Sequence, residues 1–194
     1  TVEDIVHLLE MNGKESLFFD RLDCNVAIIR GTTADKNGNI TMEDECLILE
    51  NLAAAMLAHN QGGTVIVQVK RIVENGELDP HAVRIPGIFV DVVVEAVDED
   101  DHMQTFGELM NESYTGRGSK VTEKSAPRKL DPKKVIARRA ALELKQGAVI
   151  NYGIGAPEVI AEVTDEEGVT NQVVATVEPG AIGGTPAGGL SFGA

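Results

Sequence analysis

The sequence has no tryptophan, two tyrosines and five phenylalanines, so it offers few aromatic faces on which a nucleobase could stack. It is also short of positive charge, with 17 basic side chains against 31 acidic ones and a formal net charge of −14. That balance repels a phosphate backbone and excludes nucleic acid as a general partner. Long apolar runs are missing too. Stretches such as 52–58 fall far short of the ~20 residues that cross a bilayer, which excludes a membrane-spanning role. Only two cysteines are present, Cys24 and Cys46, with neither a C-x-x-C pair nor metal-ligand spacing. Together with the lack of a basic, apolar leader, they point to a reducing, cytoplasmic setting.

What is there suffices for a packed core. A chain of 194 residues allows one domain or two small ones and needs no metal or disulfide staple. It starts at Thr1 and stops just after a glycine-rich run, with no closing helix or strand, so it reads as an interior piece of a longer polypeptide.

The charge is uneven. Nine basic residues fall between 111 and 139, against Glu112, Glu123 and Asp131, which leaves 28 acidic and 8 basic residues elsewhere. Within that stretch, 111–130 is rich in Gly, Ser, Thr and Lys, carries Pro127 and has no apolar period, which predicts a linker. A solvated loop accounts for its charge; a strap reaching an anionic ligand is the functional alternative.

Before the linker, 25–30 is a short β-branched run that predicts a buried strand, and Asp35-Lys36-Asn37-Gly38-Asn39 is a turn. A helix is expected from a Thr41 cap onward, with Asp44 at the capping-box position and Met42, Cys46, Leu49, Ala53, Met56 and Leu57 on its buried face. Gly62-Gly63 ends it, and 64–69 is a second strand. Strand, helix and strand in this order imply a parallel crossover and an α/β layer structure. Residues 89–97 make a third strand. After the linker the pattern returns. Asp131 caps a helix with Pro132 at its first position, with Val135, Ile136, Ala140 and Leu144 buried and Gly147 as the stop. A strand at 148–152, a tight loop at 153–157, a short helix at 158–163 and a strand at 172–177 follow. The last strand delivers Glu178 to its carboxyl end, where ligands bind in open α/β sheets.

Two segments could carry chemistry. At neutral pH a glutamate is ionised, so one at a strand end can attack an activated carbonyl without a partner base. Glycines at 180, 183 and 184 could bring backbone N–H groups close to a ligand and stabilise an oxyanion; a flexible glycine-rich tail is the plain alternative. The second segment, 153–158, is a Gly-x-Gly loop between strand and helix, suited to phosphate. It lacks the full G-x-G-x-x-G and a following ribose-binding acid, which argues against a dinucleotide domain. The acidic run 98–101 before His102 lacks calcium-loop spacing, residues 115–120 fail the phosphate-loop order, and the four histidines are scattered.

The run Gly153-Ile154-Gly155-Ala156-Pro157, followed by the E-x-G-x-x-G-G-x-P-A-G-G pattern at 178–189, resembles the β half of family I coenzyme A transferases. Residues 26–39, with Ala34-Asp35 and Gly38-Asn39, resemble the Ala-Asp-x-x-Gly-Asn turn of their α half. Both in one chain, α before β, are similar to the fused acetate, propionate or lactate enzymes. The resemblance implies open, largely parallel α/β sheets with flanking helices in two incomplete halves. Residues 1–110 would be the end of the α half, 111–130 the linker and 131–194 the start of the β half. It implies ping-pong transfer of CoA between a short-chain acyl-CoA and a carboxylate, with Glu178 as nucleophile and a glutamyl-CoA thioester on the way. Gly153, Gly155, Gly180, Gly183 and Gly184 would line the site. Coenzyme A would be a substrate; no permanent cofactor and no metal are called for, and a homo-oligomer is expected of the full-length enzyme. Many relatives read Ser-Glu-Asn-Gly where this chain has Val177-Glu178-Pro179-Gly180; Pro179 removes a backbone donor at that point. Missing parts of the CoA pocket imply weak or absent activity for the piece alone. A non-catalytic acyl-CoA-binding or interaction module is the alternative.

Overall fold

The computed structural model describes residues 2–117, 127–184 and 186–194. The chain opens with an antiparallel hairpin, β1 (Val6–Met11) and β2 (Lys14–Phe19). Its two-residue turn, Asn12-Gly13, takes positive φ at both positions, the geometry that matches strand twist. Every residue of the two strands is exposed, including Leu8, Leu17 and Phe19.

A three-stranded parallel sheet forms the centre of the first half, in the order β3 (Val26–Arg30), β6 (Thr64–Val69), β9 (Val92–Glu95). The helix α1 (Asn51–Asn60) connects β3 to β6 and covers one face. Ala27, Ile29, Val65, Val67 and Val69 alternate toward it and meet Ala55 and Ala58, small residues that let helix and sheet approach closely. The opposite face keeps Ile28, Val92 and Val94 exposed. The parallel crossover expected from the sequence is present.

The helix expected from Thr41 starts ten residues later. Thr41 belongs instead to β5 (Ile40–Thr41), which pairs with β4 (Thr33–Asp35) and β8 (Val83–Ile85) in a four-stranded sheet completed by β7 (Arg71–Val73). Met42 to Leu49 form a loop held by long-range bonds: the Asp44 amide donates to Thr32 Oγ1 at 2.9 Å, and Thr33 Oγ1 donates to Glu43 Oε1 at 2.5 Å. Those tertiary bonds outweigh the helical spacing. The third strand is likewise shorter than expected, because 87–89 forms a 3-10 turn.

The Ala34-to-Asn39 motif is architectural. Asp35 Oδ1 accepts the amides of Asn37 and Asn39 at 3.0 and 2.8 Å, and Asn39 Oδ1 accepts the Gly87 amide at 2.9 Å. A Cβ on Gly87 would stand 2.0 Å from the Asn37 carbonyl oxygen, so the two loops meet backbone to backbone.

The beginning of the expected linker is ordered on the first half. Arg117 pairs with Asp44, and Asn111 caps the 3-10 turn 112–115 by accepting the Ser113 amide. Residues 118–126, the middle of that linker, lie outside the described residues. Beyond it, Asp131 caps α2 (Pro132–Ala141) by accepting the Lys134 amide at 2.7 Å, with Pro132 in the first turn. Here the expected face is wrong. Ala137 is buried, while Val135 and Ile136 are more than half exposed, because α2 turns its small residues and Lys134 toward α3 (Glu158–Glu166). The close approach brings Lys134 Nζ to 2.6 Å from Glu166 Oε2. The helix also ends six residues before Gly147. Then β10 (Val149–Tyr152) and β11 (Val174–Val177) pair in parallel across α3; the residues just before β11 form a 3-10 turn rather than strand.

Candidate active site

Tyr152 stands opposite Val177 in the β10–β11 pair, so the next residues, Gly153 and Glu178, leave the sheet side by side at its carboxyl edge. Tyr152, Ala161, Ala175 and Val177 form the buried floor beneath them. A Cβ built on Gly153 would lie 3.2 Å from Glu178 Oε1 and 3.9 Å from its Cδ. The carboxylate therefore extends over the space that a side chain at 153 would take. Glu178 is exposed; among the described residues no element covers the open edge of the sheet above it. Gly155, at positive φ, sits in the adjoining loop before α3.

The glycine run does not wrap the carboxylate as expected. The Gly180 amide donates to the Val177 carbonyl at 2.9 Å, closing a turn with Glu178 and Pro179 at its tip. The chain then runs back antiparallel to β11, with Ile182 bridging Thr176 and the Gly183 amide donating to the Ala175 carbonyl at 2.7 Å. Ala175 lies three residue rises before Glu178, so Gly183 and Gly184 are carried about 10 Å away from it. They line a different cleft, with Asp165, Thr170 and Asn171. The structure thus brings together Glu178, Gly153 and Gly180, and it commits the amides of Gly180 and Gly183 to backbone carbonyls.

The carboxyl edge of the first-half sheet is furnished differently, by a network that sequence reading missed. Arg30 Nε lies 2.9 Å from Glu45 Oε2, and His102, 2% exposed, places Nε2 3.2 Å from Glu45 Oε1. Asp44 faces Arg117, Lys70 at 3.5 Å and Arg71 at 3.6 Å. Burial pushes the Asp44 and Glu43 carboxyls up. The cations around Asp44, and the Thr33 and Thr41 hydroxyls with Arg71 around Glu43, outweigh it and hold both below their ordinary values. Burial and Glu45 push the Cys46 thiol up, away from thiolate character. Lys70, Val97, His102 and Met110 line a cavity of about 360 Å³ at this edge. Among the described residues, no three His, Cys, Asp or Glu side chains are grouped to hold a metal ion, and no helix is long and apolar enough to cross a membrane.

Comparison with known proteins adds the following. The family described as Coenzyme A transferase matches residues 2–96. A caffeate CoA-transferase of Acetobacterium woodii is 44% identical over 193 residues, 100% of this chain and 37% of the relative. The acetate CoA-transferase YdiF of Escherichia coli O157:H7 is 39% identical over 194 residues, 100% of this chain and 36% of the relative. The solved structure of an acyl-CoA transferase from E. coli O157:H7, a thioester complex with CoA, superposes with a TM-score of 0.77 at 39% identity, covering 94% of this chain and 36% of that one. The chain thus spans little more than a third of the length of these relatives.

Proposed function

We propose, from the premise that this chain belongs to the coenzyme A transferase family, that its parent protein moves CoA between a short-chain acyl-CoA and a carboxylate, with Glu178 as the nucleophile. One observation carries the reading: Glu178 leaves the carboxyl end of a parallel strand with its carboxylate extended over a residue that has no side chain. A Glu178 oxygen attacks the thioester carbonyl, the C–S bond breaks and CoA thiolate leaves, giving an acyl-glutamyl anhydride. The thiolate then attacks the glutamyl carbonyl and expels the donor acid as its carboxylate, leaving a glutamyl-CoA thioester. The acceptor carboxylate repeats both steps in reverse. Each step exchanges one anion for another, so no general base is required. That the E. coli relative was solved as a CoA thioester complex supports the covalent route.

Residues 1–110 and 131–194 are assigned to the two halves of such an enzyme, with 111–130 joining them. Gly153 and Gly155 would line the acyl end of the site, and Gly180 shapes the turn that carries the nucleophile. Exposed apolar faces at β1–β2 and on the bare side of the central sheet support further covering segments in the parent protein or its oligomer. Activity of this chain alone is expected to be weak or absent. The cytoplasmic assignment rests on Cys24 and Cys46, both free thiols. The test is intact-mass analysis of the parent protein after incubation with propionyl-CoA. A CoA-sized adduct, released by hydroxylamine and lost in Glu178→Ala, is expected; its absence in the wild-type protein would overturn the reading.

A further inference from the structure

We propose that Ser191, Glu108 and Thr105 are positioning residues for Glu178, forming a clasp that ties the end of the glycine loop to the first half and so fixes the backbone on which the carboxylate is carried. The inference rests on the reading of Glu178 as nucleophile.

The clasp is a directed set of hydrogen bonds across 83 to 86 residues of sequence. Ser191 is buried, and its Oγ donates to Glu108 Oε2 at 3.0 Å while lying 2.9 Å from Thr105 Oγ1. With its one proton given to Glu108, Ser191 accepts from the Thr105 hydroxyl, and Thr105 Oγ1 in turn accepts the amides of Gly107 and Glu108, both at 3.1 Å. The hydroxyl of Tyr114 also reaches Glu108 and, with Ser191 and Asn111, holds its carboxyl below the ordinary value. This loop is anchored in the first-half network, because Gln104 Nε2 donates to the Asp44 carbonyl at 2.7 Å and Gln104 Oε1 accepts the Asn111 amide at 2.7 Å.

On the other side, Ser191 lies in a 3-10 turn (Gly189–Ser191) whose next residues reach Pro179, the neighbour of the nucleophile. Gly193, at φ +94°, packs so tightly on Pro179 that a Cβ there would stand 2.5 Å from Pro179 Cγ. Pro179 directly follows Glu178, and its ring restricts the backbone rotation at that link. Phe192 packs onto the Tyr152, Ala175 and Val177 floor. Glu178 therefore stands between a fixed strand below and a proline held from above. Loosening Ser191 frees the second support while leaving the first intact.

The test uses the full-length parent protein with propionyl-CoA. Single-turnover thioester formation at Glu178 is followed by intact mass, steady-state transfer gives kcat and KM, and hydrogen exchange is followed in a peptide spanning 186–194. Ser191→Ala is expected to lower kcat and the thioester rate about ten- to a hundred-fold, the scale of an ångström misplacement, with KM within twofold and faster exchange in that peptide. Ser191→Thr keeps the hydroxyl and is expected to hold most of the rate. Glu108→Ala is expected to match Ser191→Ala, and the double variant to be no slower than either, as members of one unit behave. An unchanged thioester rate in Ser191→Ala would overturn the clasp, as would a slower rate with exchange at 186–194 unaltered. If the wild-type protein forms no thioester, the nucleophile reading falls, while the exchange comparison still decides whether Ser191 holds the turn.

Discussion

Both halves of the chain end a parallel sheet at a carboxyl edge, and they use that edge in opposite ways. In the first half the strands deliver Arg30 and Lys70, and the segments that follow add Glu43, Asp44, Glu45 and His102, so the edge is filled by side chains that pair with one another. In the second half the corresponding edge holds one exposed carboxylate beside a glycine. The same topology is thus filled by paired side chains on one side and left open on the other. A carboxylate already ion-paired with Arg30 and in contact with His102 has little left to offer a reacting carbonyl; Glu178, with no ion-pair partner among the described residues, would keep its attack available under the proposed function.

Exchanging losses between the two edges tests that contrast most strongly. Glu178→Ala is expected to cut transfer by about 10³-fold or more, as nucleophile removal does, with the urea midpoint unmoved. Glu45→Ala should do the reverse. It leaves Arg30 without its ion-pair partner and buried His102 without its hydrogen-bond partner and is expected to cost about 2 kcal/mol in urea unfolding, below the full figure for a buried pair because Arg30 keeps 36% of its side chain in water, while the folded fraction still forms the thioester. Loss of the adduct in folded Glu45→Ala would break the contrast.

Adding a methyl group sharpens it. Gly153→Ala puts a Cβ 3.2 Å from Glu178 Oε1, the end of a movable side chain, so thioester formation should slow about tenfold with little change in stability. Gly87→Ala meets the Asn37 backbone at 2.0 Å and should instead cost about 1–3 kcal/mol, read as a lower Tm. A smaller effect is expected with acid. The Asp44 and Glu43 carboxyls lie lower when folded than when unfolded, so their contribution is present above the ordinary carboxylate range, about pH 4, and is lost as pH falls through their depressed values. Arg117→Ala removes one cation from Asp44 and should move acid unfolding to slightly higher pH, followed by circular dichroism.

Local signals carried much of this fold. The β-branched runs of β3, β6 and β11 and the Asp131-Pro132 cap each act within a few residues, and Glu178 follows from where β11 ends. The Asn12-Gly13 hairpin had an equally local signal, but the apolar residues on both its faces mask the alternation that marks a strand. The rest depended on distant partners. Helical spacing after Thr41 lost to bonds from Thr32 and Thr33 and to cations at 70, 71 and 117. The buried face of α2 was decided by α3, and the position of Gly183 by the reversal of the chain along β11. Ser191 is one serine among glycines until Glu108, 83 residues earlier, comes to meet it.

That meeting also has a polymer aspect. The bond between Thr105 and Ser191 closes a loop of 86 residues, and closure entropy grows only as the logarithm of length. Ten additional residues between the halves would raise the closure cost by about 0.1 kcal/mol. A change of length between the halves therefore has almost no thermodynamic consequence for closure, whereas under the proposed clasp Ser191, with Glu108 and Thr105, sets the register in which the loop closes.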